Sequence, residues 1–414
     1  MKRENARLRL RLSDIESQLL EMESDPTNRR FSTRLKQERQ RQLVKEKMSV
    51  QESLDLIIYP ILSIPVEITS EIFLHCLSPV DAAQPNQKLA PMLLGRICRI
   101  WRHIAHSDPR LWAALKIDYY GFGPNALLVQ DWLHRAGSVP LSLSLVLRSD
   151  HCSFFQHTSC FFPSSTVLTD HWPRLTSFCG ENLTLIECLD LLVRAPKLIW
   201  CKFIYITGSL RPTSPARALL PDLKDLTVTT RPNLGLHRLL LLLDSLTLPG
   251  LRFLSLSCTL RRFDDAPFLS FLQRAPGIQT FALRSISISP EDGDFTTILS
   301  AMPALSSLEV HPNSAAVLFN ILRKLDESTT FLPRMHKLRF SAFHRVSWED
   351  RFTQTLVDAL TSRWETSSGA AQLVDFEFLI QMDPVAGLDP CIVECISKLQ
   401  EKGMRIYVGP PTWV

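Results

Sequence analysis

The sequence predicts an α/β protein whose larger part is a solenoid of short parallel strands and return helices. A proline followed by an alternating apolar segment occurs seven times, at steps of 23, 25, 28, 27, 27 and 30 residues; the prolines are Pro173, Pro196, Pro221, Pro249, Pro276, Pro303 and Pro333. Apolar runs with helical spacing lie between these segments, for instance in residues 183–196, 266–276 and 314–327. A unit of one strand and one helix at this period is typical of a solenoid repeat.

The strand segments share the pattern L-x-x-L-x-L, whose last two apolar residues lie on one side of a strand. The pattern is clearest in LKDLTV (223–228), LRFLSL (251–256) and LSSLEV (305–310). Residues 139–147 predict an earlier strand, and residues 374–380 and 404–408 predict two later ones with a capped helix between them. We therefore predict the repeat domain over residues 119–414.

The N-terminal residues 1–61 predict helices without strands. Apolar residues recur at alternating steps of four and three at Leu8, Leu12, Ile15, Leu19 and Met22. The same spacing returns at Leu43, Val50, Leu54, Ile57 and Ile61, with Lys47 in the position between Leu43 and Val50. The break around Ser24-Asp25-Pro26-Thr27 offers a helix N-cap with proline in the first turn. Both a helical hairpin within one chain and an oligomerising coiled coil fit this pattern.

The second of these helices carries a basic run. Residues 29–47 contain eight Lys or Arg residues against two glutamates, Glu38 and Glu46. A solvated helix face accounts for such a run, and so does a patch for nuclear import or nucleic acid. The rest of the chain offers nothing else that favours nucleic-acid binding, so we do not expect it.

Composition excludes several function classes. Only 14 of 414 residues are glycine, and no phosphate-binding glycine loop, hydrolase nucleophile motif or H-E-x-x-H motif occurs. The apolar runs are too short to span a membrane, and the first ten residues lack the apolar stretch of a signal peptide. Ten cysteines are scattered without the spacing of a disulfide framework. These observations favour a protein of a reducing compartment, the cytoplasm, the nucleus or both.

Residues 62–118 form a second predicted unit of three short helices. The segment IPVEITSEIFLHCL (64–77) predicts an amphipathic helix that starts at Pro65. After a polar insertion at 78–91, a second helical pattern runs from Leu93 to Ala105, and Asp108-Pro109 starts a third turn that carries Leu111 and Trp112. About fifty residues of short helices bury little surface on their own, so this unit is expected to complete its core against something else.

The order of these motifs resembles the F-box. Ile64-Pro65-Val66-Glu67 corresponds to the usual Leu-Pro-x-Glu opening, and residues 97–101, ICRIW, correspond to the usual Val-Cys-Arg-x-Trp segment. Two departures occur: Ile64 replaces the common leucine, and the 78–91 insertion displaces the acidic-leucine pair that often starts the second helix. The resemblance covers about 50 of the 414 residues.

The resemblance implies a function and a set of contact residues. An F-box docks on the Skp-family adaptor of cullin-based ubiquitin ligases, so it implies binding to that adaptor and, through it, to a cullin. The residues that it places at or beside the adaptor are Ile64, Pro65, Glu67, Ile68, Ile72, Phe73, Leu77, Ile97 and Trp101. The repeats resemble irregular leucine-rich repeats, which commonly follow an F-box and bind the target protein.

In such a repeat the leucines point inward and the residues between them face the concave surface of the sheet. The candidate residues for binding a target are the outward residues Thr227, Thr229, Ser255, Ser257, Arg284, Glu309, His311 and Arg339. They are mixed polar residues with charge concentrated in the C-terminal half. A merely solvated sheet face and a partner-binding face both fit this composition.

We predict no metal, no cofactor and no catalytic residue. His151, Cys152, His157 and Cys160 match no usual zinc-ligand spacing, and four phenylalanines crowd them. The sequence therefore favours a non-catalytic substrate-recognition subunit of an SCF-type ubiquitin ligase. Its rivals are a repeat scaffold without a ligase role and, from another class, a hydrolase or transferase on a frame of βα repeats.

Overall fold

The computed structural model describes most of the chain; the described ranges are 2–24, 33–55, 60–77, 88–119, 126–147, 170–207, 217–230, 236–258, 265–286, 295–312, 315–342, 350–365, 371–380 and 390–409. The α-helices in these ranges are α1 (Lys2–Ser24), α2 (Thr33–Asp55), α3 (Val66–His75), α4 (Leu94–Ile97), α5 (Arg99–Ser107), α6 (Ala126–Arg135), α7 (Leu185–Arg194), α8 (Leu236–Asp244), α9 (Asp265–Gln273), α10 (Phe295–Ser300), α11 (Ala315–Glu327), α12 (Asp350–Trp364) and α13 (Pro390–Glu401).

The strands are β1 (Ala114–Tyr119), β2 (Leu141–Leu147), β3 (Leu175–Glu181), β4 (Trp200–Ile206), β5 (Ala218–Leu219), β6 (Asp225–Thr230), β7 (Leu246–Thr247), β8 (Phe253–Ser257), β9 (Thr280–Ile286), β10 (Ser307–Pro312), β11 (Lys337–Ala342), β12 (Asp375–Ile380) and β13 (Arg405–Gly409). Short 3₁₀ turns lie at Pro60–Ser63, Pro109–Trp112 and Trp172–Arg174. In the described ranges no helix combines the length and the apolar content that a membrane span requires.

Eleven of the strands form one parallel sheet in the order β1-β2-β3-β4-β6-β8-β9-β10-β11-β12-β13, while β5 and β7 pair separately. Because this is also chain order, each strand pairs with the one before it, as a solenoid requires. The seven proline-led segments all become strands of this sheet, and the earlier strand and the two later ones are also present. The predicted α/β class is confirmed.

Alternation within the strands separates an inner from an outer face. The inward residues of β6, Leu226 and Val228, are 0% exposed, and so are Leu254 and Leu256 of β8. Their side chains point towards the helices, which contact one another in succession from α7 to α13. A single layer of helices therefore covers one face of the sheet. Within the described ranges no helix covers the other face, which we call the open face.

Arginine side chains tie consecutive repeats together. Arg363 of α12 is 2% exposed. Its Nε donates to the carbonyl of Leu325 in the last turn of α11 at 2.9 Å, and its Nη2 donates to the carbonyls of Ser328, at 2.7 Å, and Phe331. The last carbonyls of a helix lack partners within the helix. Arg363 supplies the missing donors from the next repeat.

The same arrangement occurs twice more. Arg274, just after α9, donates from Nη2 to the carbonyls of Leu243 at 3.3 Å and Asp244 at 3.1 Å, at the end of α8. Arg174, just before β3, donates to the carbonyl of Gly137 beyond the end of α6. Three helix C-termini are thus closed by an arginine that arrives from the following repeat.

The N-terminal helices form an antiparallel hairpin with its own small core. Ile15, Leu43 and Val50 are buried between α1 and α2, and the other described apolar residues of the predicted seam from Leu8 to Leu54 pack around them. Lys47, which interrupts the seam, forms an ion pair with Glu16 at 2.8 Å. In this chain the two helices therefore pair with each other, which is the hairpin arrangement of the two that the sequence allows. Ile57 and the break at 25–27 lie outside the described residues.

The predicted boundary between residues 118 and 119 is wrong, because it cuts through β1. This strand pairs with β2 from Ala114 to Tyr119 and buries Leu115 and Ile117. One continuous core also contains residues from both sides of the boundary, from Phe73 in α3 to Met404 before β13. The short helices are therefore attached to the first repeat and share its core.

The inward register of β8 can be tested by two aspartate substitutions. Leu254→Asp should destabilise the array by more than about 4 kcal/mol, because it buries an unpaired charge in the core. Ser255 faces the open side as predicted but is only 6% exposed between its neighbours, so half-buried Ser257 is the better control. Ser257→Asp should cost less than about 1 kcal/mol. Equal destabilisation in urea denaturation would contradict the register.

The arginine contact between repeats can be tested in the same way. Arg363→Met should lower the free energy of unfolding by roughly 3 kcal/mol, because three buried carbonyls lose a charged donor. The matched control is Arg323→Met on the surface of α11, whose side chain is 57% exposed. Its effect should stay within about 0.5 kcal/mol. If both variants melt at the same temperature, the contact does not stabilise the array.

Candidate protein-interaction surfaces

Exposed aliphatic side chains are concentrated on the short helices before the sheet. Among the described residues nineteen large apolar residues are exposed, and seven of these lie between residues 60 and 100: Ile61, Val66, Ile68, Ile72, Leu93, Ile97 and Ile100. We call these seven residues the α3–α5 surface. Contiguous exposed apolar groups on a soluble protein mark interaction sites more often than isolated ones do.

Helix α3 owes this exposure to a division between its two sides. Pro65 precedes the helix with φ −53° and fixes its start. Thr69 and Phe73 are buried on one side, whereas Ile68 and Ile72, four residues apart, are 53% and 43% exposed on another. Two isoleucines thus face solvent on a helix of ten residues.

Phe73, one of the residues expected at or beside the adaptor, lies beneath the exposed isoleucines. It is 0% exposed, and its ring lies edge-on to that of Trp101, with 5.0 Å between the ring centroids. Phe73 therefore belongs to the core that supports the α3–α5 surface. Trp101 is half-buried against it and joins α3 to α5.

The single second helix expected over 93–105 is broken at Cys98. This residue is extended, with φ −154° and ψ 172°, and its Sγ accepts a hydrogen bond from the backbone N–H of Trp101 at 3.4 Å. The Nε of Arg102 donates to the carbonyl of Gly95 at 2.7 Å, which satisfies the end of α4. The break leaves Ile97 and Ile100 exposed on either side of it, at 55% and 48%.

Two tryptophans fix these helices to the first repeat. The Nε1 of Trp112 donates to the carbonyl of Ala105 in α5 at 2.7 Å, and the Nε1 of Trp132 in α6 donates to the carbonyl of Trp112 at 3.0 Å. The two rings lie edge to face, with centroids 4.9 Å apart. The α3–α5 surface therefore rests on a rigid base.

The other residues of the proposed adaptor site fall into two groups. Pro65 and Glu67 are exposed with the isoleucines, whereas Ile64 and Leu77 are half-buried. Glu67 lines a shallow depression with Val66, Ile68 and Arg110, where Arg110 forms an ion pair with Glu71 at 2.7 Å. Val66, Leu93 and Ile100 are also exposed but were not among the residues that the resemblance placed at the adaptor. Most of the 78–91 insertion lies outside the described residues.

The eight residues proposed to bind a target all lie on the open face of the sheet. The register places Thr227 beside Ser255 and Thr229 beside Ser257. On the neighbouring strands, Arg284 lies beside Ser257 and His311, and Glu309 lies beside Arg339; the strand pairs involved are β8–β9, β9–β10 and β10–β11. The predicted outward orientation is confirmed, and it follows from the period of two along each strand.

The charges of the C-terminal half of this face are paired with each other. Glu309 lies 2.7 Å from His311 Nε2 and 3.1 Å from Arg284 Nη2. The hydrogen bond from His311, opposed by burial and aided by the nearby arginines, lowers the pKa of Glu309 from 4.5 to about 2. Glu309 is therefore a tightly held carboxylate at neutral pH.

The network continues into residues that sequence reasoning did not select. Glu377 of β12 lies 2.7 Å from both Lys337 Nζ and Arg339 Nε, and Asp375 lies 3.3 Å from Lys337 Nζ and Arg405 Nη2. Their alternation with buried residues in β11 and β12 is the signal that would have identified them. Because their charges satisfy one another, this part of the face offers few free charges to a ligand.

Among the described residues no group of three His, Cys, Asp or Glu side chains is placed to hold a metal ion. His151, Cys152, His157 and Cys160 lie outside the described residues.

Comparison with known proteins does not assign the chain to a family. No protein-family model matches the sequence, and no curated protein matches it. Among solved structures, the chain is similar to a structural-genomics crystal structure of a protein from Bacteroides fragilis, with 13% sequence identity and a TM-score of 0.31. The similarity covers 65% of this chain and 64% of that one. A TM-score of this size supports no conclusion about fold or function.

The Glu309 cluster predicts a pH-dependent contribution to stability. Its folded pKa of about 2 lies below the ordinary value of 4.5, so the ionised carboxylate stabilises the fold above about pH 4.5, and this contribution is lost as the pH falls towards 2. Glu309→Gln should therefore lower stability by about 2 kcal/mol at pH 7 and by progressively less below pH 4.5. Denaturation at several pH values, with exposed Glu327→Gln as control, measures this; a difference independent of pH would contradict it.

Proposed function

We propose that this protein is a non-catalytic substrate-recognition subunit of an SCF-type ubiquitin ligase. In this proposal residues 64–112 act as an F-box that docks on a Skp-family adaptor, and through it on a cullin. The strand–helix units act as irregular leucine-rich repeats that bind the target protein. Ubiquitin transfer belongs to the partners, and the site of action is the cytoplasm, the nucleus or both.

The observation that carries the proposal is the exposure of apolar residues where the F-box resemblance puts the adaptor. Ile68, Ile72 and Ile97 were named from the motif alone, and each is at least 43% exposed. Aliphatic side chains of this size yield roughly 1.5–3 kcal/mol each when they are fully buried. Without a partner that free energy is not gained, so their exposure is best explained by an interface.

Two features support the leucine-rich repeat part. In the three clearest segments all positions of L-x-x-L-x-L are 0% exposed: Leu223, Leu226, Val228, Leu251, Leu254, Leu256, Leu305, Leu308 and Val310. The first leucine of each pattern follows the proline by two residues and lies in the turn before the strand. The other two apolar residues lie in the strand. The open face of such a sheet is the surface that solenoids commonly use for partners.

One observation favours a second candidate, a repeat scaffold without a ligase role. The helices α3–α5 share the continuous core with the sheet and close its N-terminal end. Terminal units that cap an array are required for solubility, and capping alone would explain why these helices are present. Capping does not explain why their outer side is aliphatic, which is why we prefer the ligase proposal.

A binding measurement with purified adaptor separates the two candidates. The double variant Ile68→Ala with Ile97→Ala should weaken adaptor binding roughly a hundredfold, since each truncation at an interface centre costs about 1.4 kcal/mol or more. Its melting temperature should remain that of the wild type, because both side chains are exposed. The matched control is Ile186→Ala with Val193→Ala on α7, where the side chains are 63% and 57% exposed. Wild-type protein that does not bind the adaptor would leave the scaffold as the function.

A further inference from the structure

One carboxylate on the open face of the sheet differs from the paired charges of the C-terminal half. Asp225 begins β6, and its side chain lies on the same face as Thr227 and Thr229. Within the described part of the chain its carboxylate has no hydrogen bond and no ion pair. Partial burial raises the pKa of Asp225, against the opposing effect of Lys224. Lys224 thus offsets this charge in part, but no described residue pairs with it directly.

Two aromatic side chains flank this carboxylate. Register places Trp200 of β4 beside Asp225 on one side and Phe253 of β8 beside it on the other. All three are half-buried on the open face. Adjacent strands are about 4.8 Å apart, so the two rings emerge about 10 Å from each other with the carboxylate between them. The indole N–H of Trp200 has no acceptor among the described residues and remains available to a ligand.

A carboxylate between two aromatic side chains favours a cationic ligand. A carboxylate that has lost part of its hydration binds a cation more strongly than one in bulk water, because the local dielectric constant is lower. The faces of tryptophan and phenylalanine also attract cations such as ammonium and guanidinium groups. A lysine or arginine side chain satisfies both requirements, and its aliphatic stem packs well against the rings.

Three basic residues lie near Asp225, so a preference for an anionic ligand has to be compared with a preference for a cation. Lys202 lies two residues after Trp200 on the same face, and Lys224 and Arg252 precede β6 and β8. None of the three forms an ion pair with Asp225. An anionic ligand would use these cations but would bring its charge towards Asp225 and would gain nothing from the aromatic faces. The geometry between Trp200 and Phe253 therefore favours a cation.

We propose that Trp200, Asp225 and Phe253 form a subsite for a lysine or arginine side chain of the target protein. The target segment lies extended across the open face, with its cationic side chain at Asp225 and a main-chain carbonyl within reach of the Trp200 indole. The proposed subsite lies on the N-terminal side of most of the residues selected from the sequence. The subsite rests on the proposed function in one respect, which is that the ligand is taken to be part of the target protein.

The subsite can be tested with short fluorescent peptides on the full-length protein. The probe is an alternating serine–lysine peptide, compared with serine–glutamine and serine–glutamate peptides, and binding is measured by fluorescence anisotropy. Asp225→Asn and Trp200→Ala should each weaken binding of the lysine peptide about tenfold. The matched control is Asp222→Asn, which removes an exposed carboxylate from the turn before the same strand and should leave binding unchanged. Melting curves establish that each variant is folded.

Three results would overturn the subsite. The first is that the lysine and glutamine peptides bind with equal affinity, or that neither of them binds. The second is an equal effect of Asp225→Asn and Asp222→Asn. The third is preference for the glutamate peptide that is lost in Lys202→Gln, which would make this an anion site. Adaptor binding by Asp225→Asn is measured in parallel, and it should match the wild type because the α3–α5 surface is separate. Loss of the subsite and loss of the ligase role therefore have different readouts.

Discussion

The structure depends on a ladder of apolar side chains that no single repeat can bury alone. Register places Leu226, Leu254, Phe281, Leu308, Leu338 and Phe376 side by side on successive strands, and all six are 0% exposed. Each is covered by the strand before it, the strand after it and the helix layer. Burial of one such side chain is worth roughly 1.5–3 kcal/mol, so the array is stable only when the repeats are stacked.

Stacking creates a second requirement, because it encloses the ends of the return helices. Their last carbonyls have no partners within the helix, and an unsatisfied buried carbonyl is costly. Arg174, Arg274 and Arg363 meet this requirement from the following repeat. The hydrogen bonds are thus made between repeats, like the apolar contacts. The arginine side chain is long and its guanidinium carries several N–H donors, so one arginine reaches several carbonyls.

The sequence was sufficient for features that follow from period and local chemistry. Ten strands of the sheet were predicted, because alternation of buried leucines every two residues is a local signal. Strand β1 was missed, since Leu115 and Ile117 form only a short alternation beside a segment already assigned to helices. The break at Cys98 was also missed: its capping contact with Trp101 depends on a sulfur that is a weak acceptor, and no helix-breaking residue marks it. The sequence does not say which apolar residues of α3 are covered, because that depends on Trp101 of another helix, which packs against Phe73.

The candidate sites show the same division between local and non-local information. Outward orientation along a strand is local, so the residues of the open face were predicted correctly. Which outward charges are free depends on neighbours about 25 to 40 residues away in the chain, as in the pairs Arg284–Glu309 and Lys337–Glu377. That Asp225 lies between Trp200 and Phe253 without a hydrogen-bond or ion-pair partner among the described residues depends on three strands together. A sequence pattern read one strand at a time does not contain it.

The two ends of the described array differ in a way that bears on function. At the C-terminal end the edge strand β13 and the turn before it expose Lys402, Arg405 and a single large apolar residue, Tyr407. Charges on an edge strand oppose unwanted pairing with another chain, so this end is protected. At the N-terminal end α3–α5 close the core as well, but these helices and the turns beside them expose seven aliphatic residues to solvent. A unit that only capped the array would be expected to have a polar outer side. The two ends therefore present surfaces of different character, and the proposed docking role rests on the aliphatic outer side of the N-terminal one.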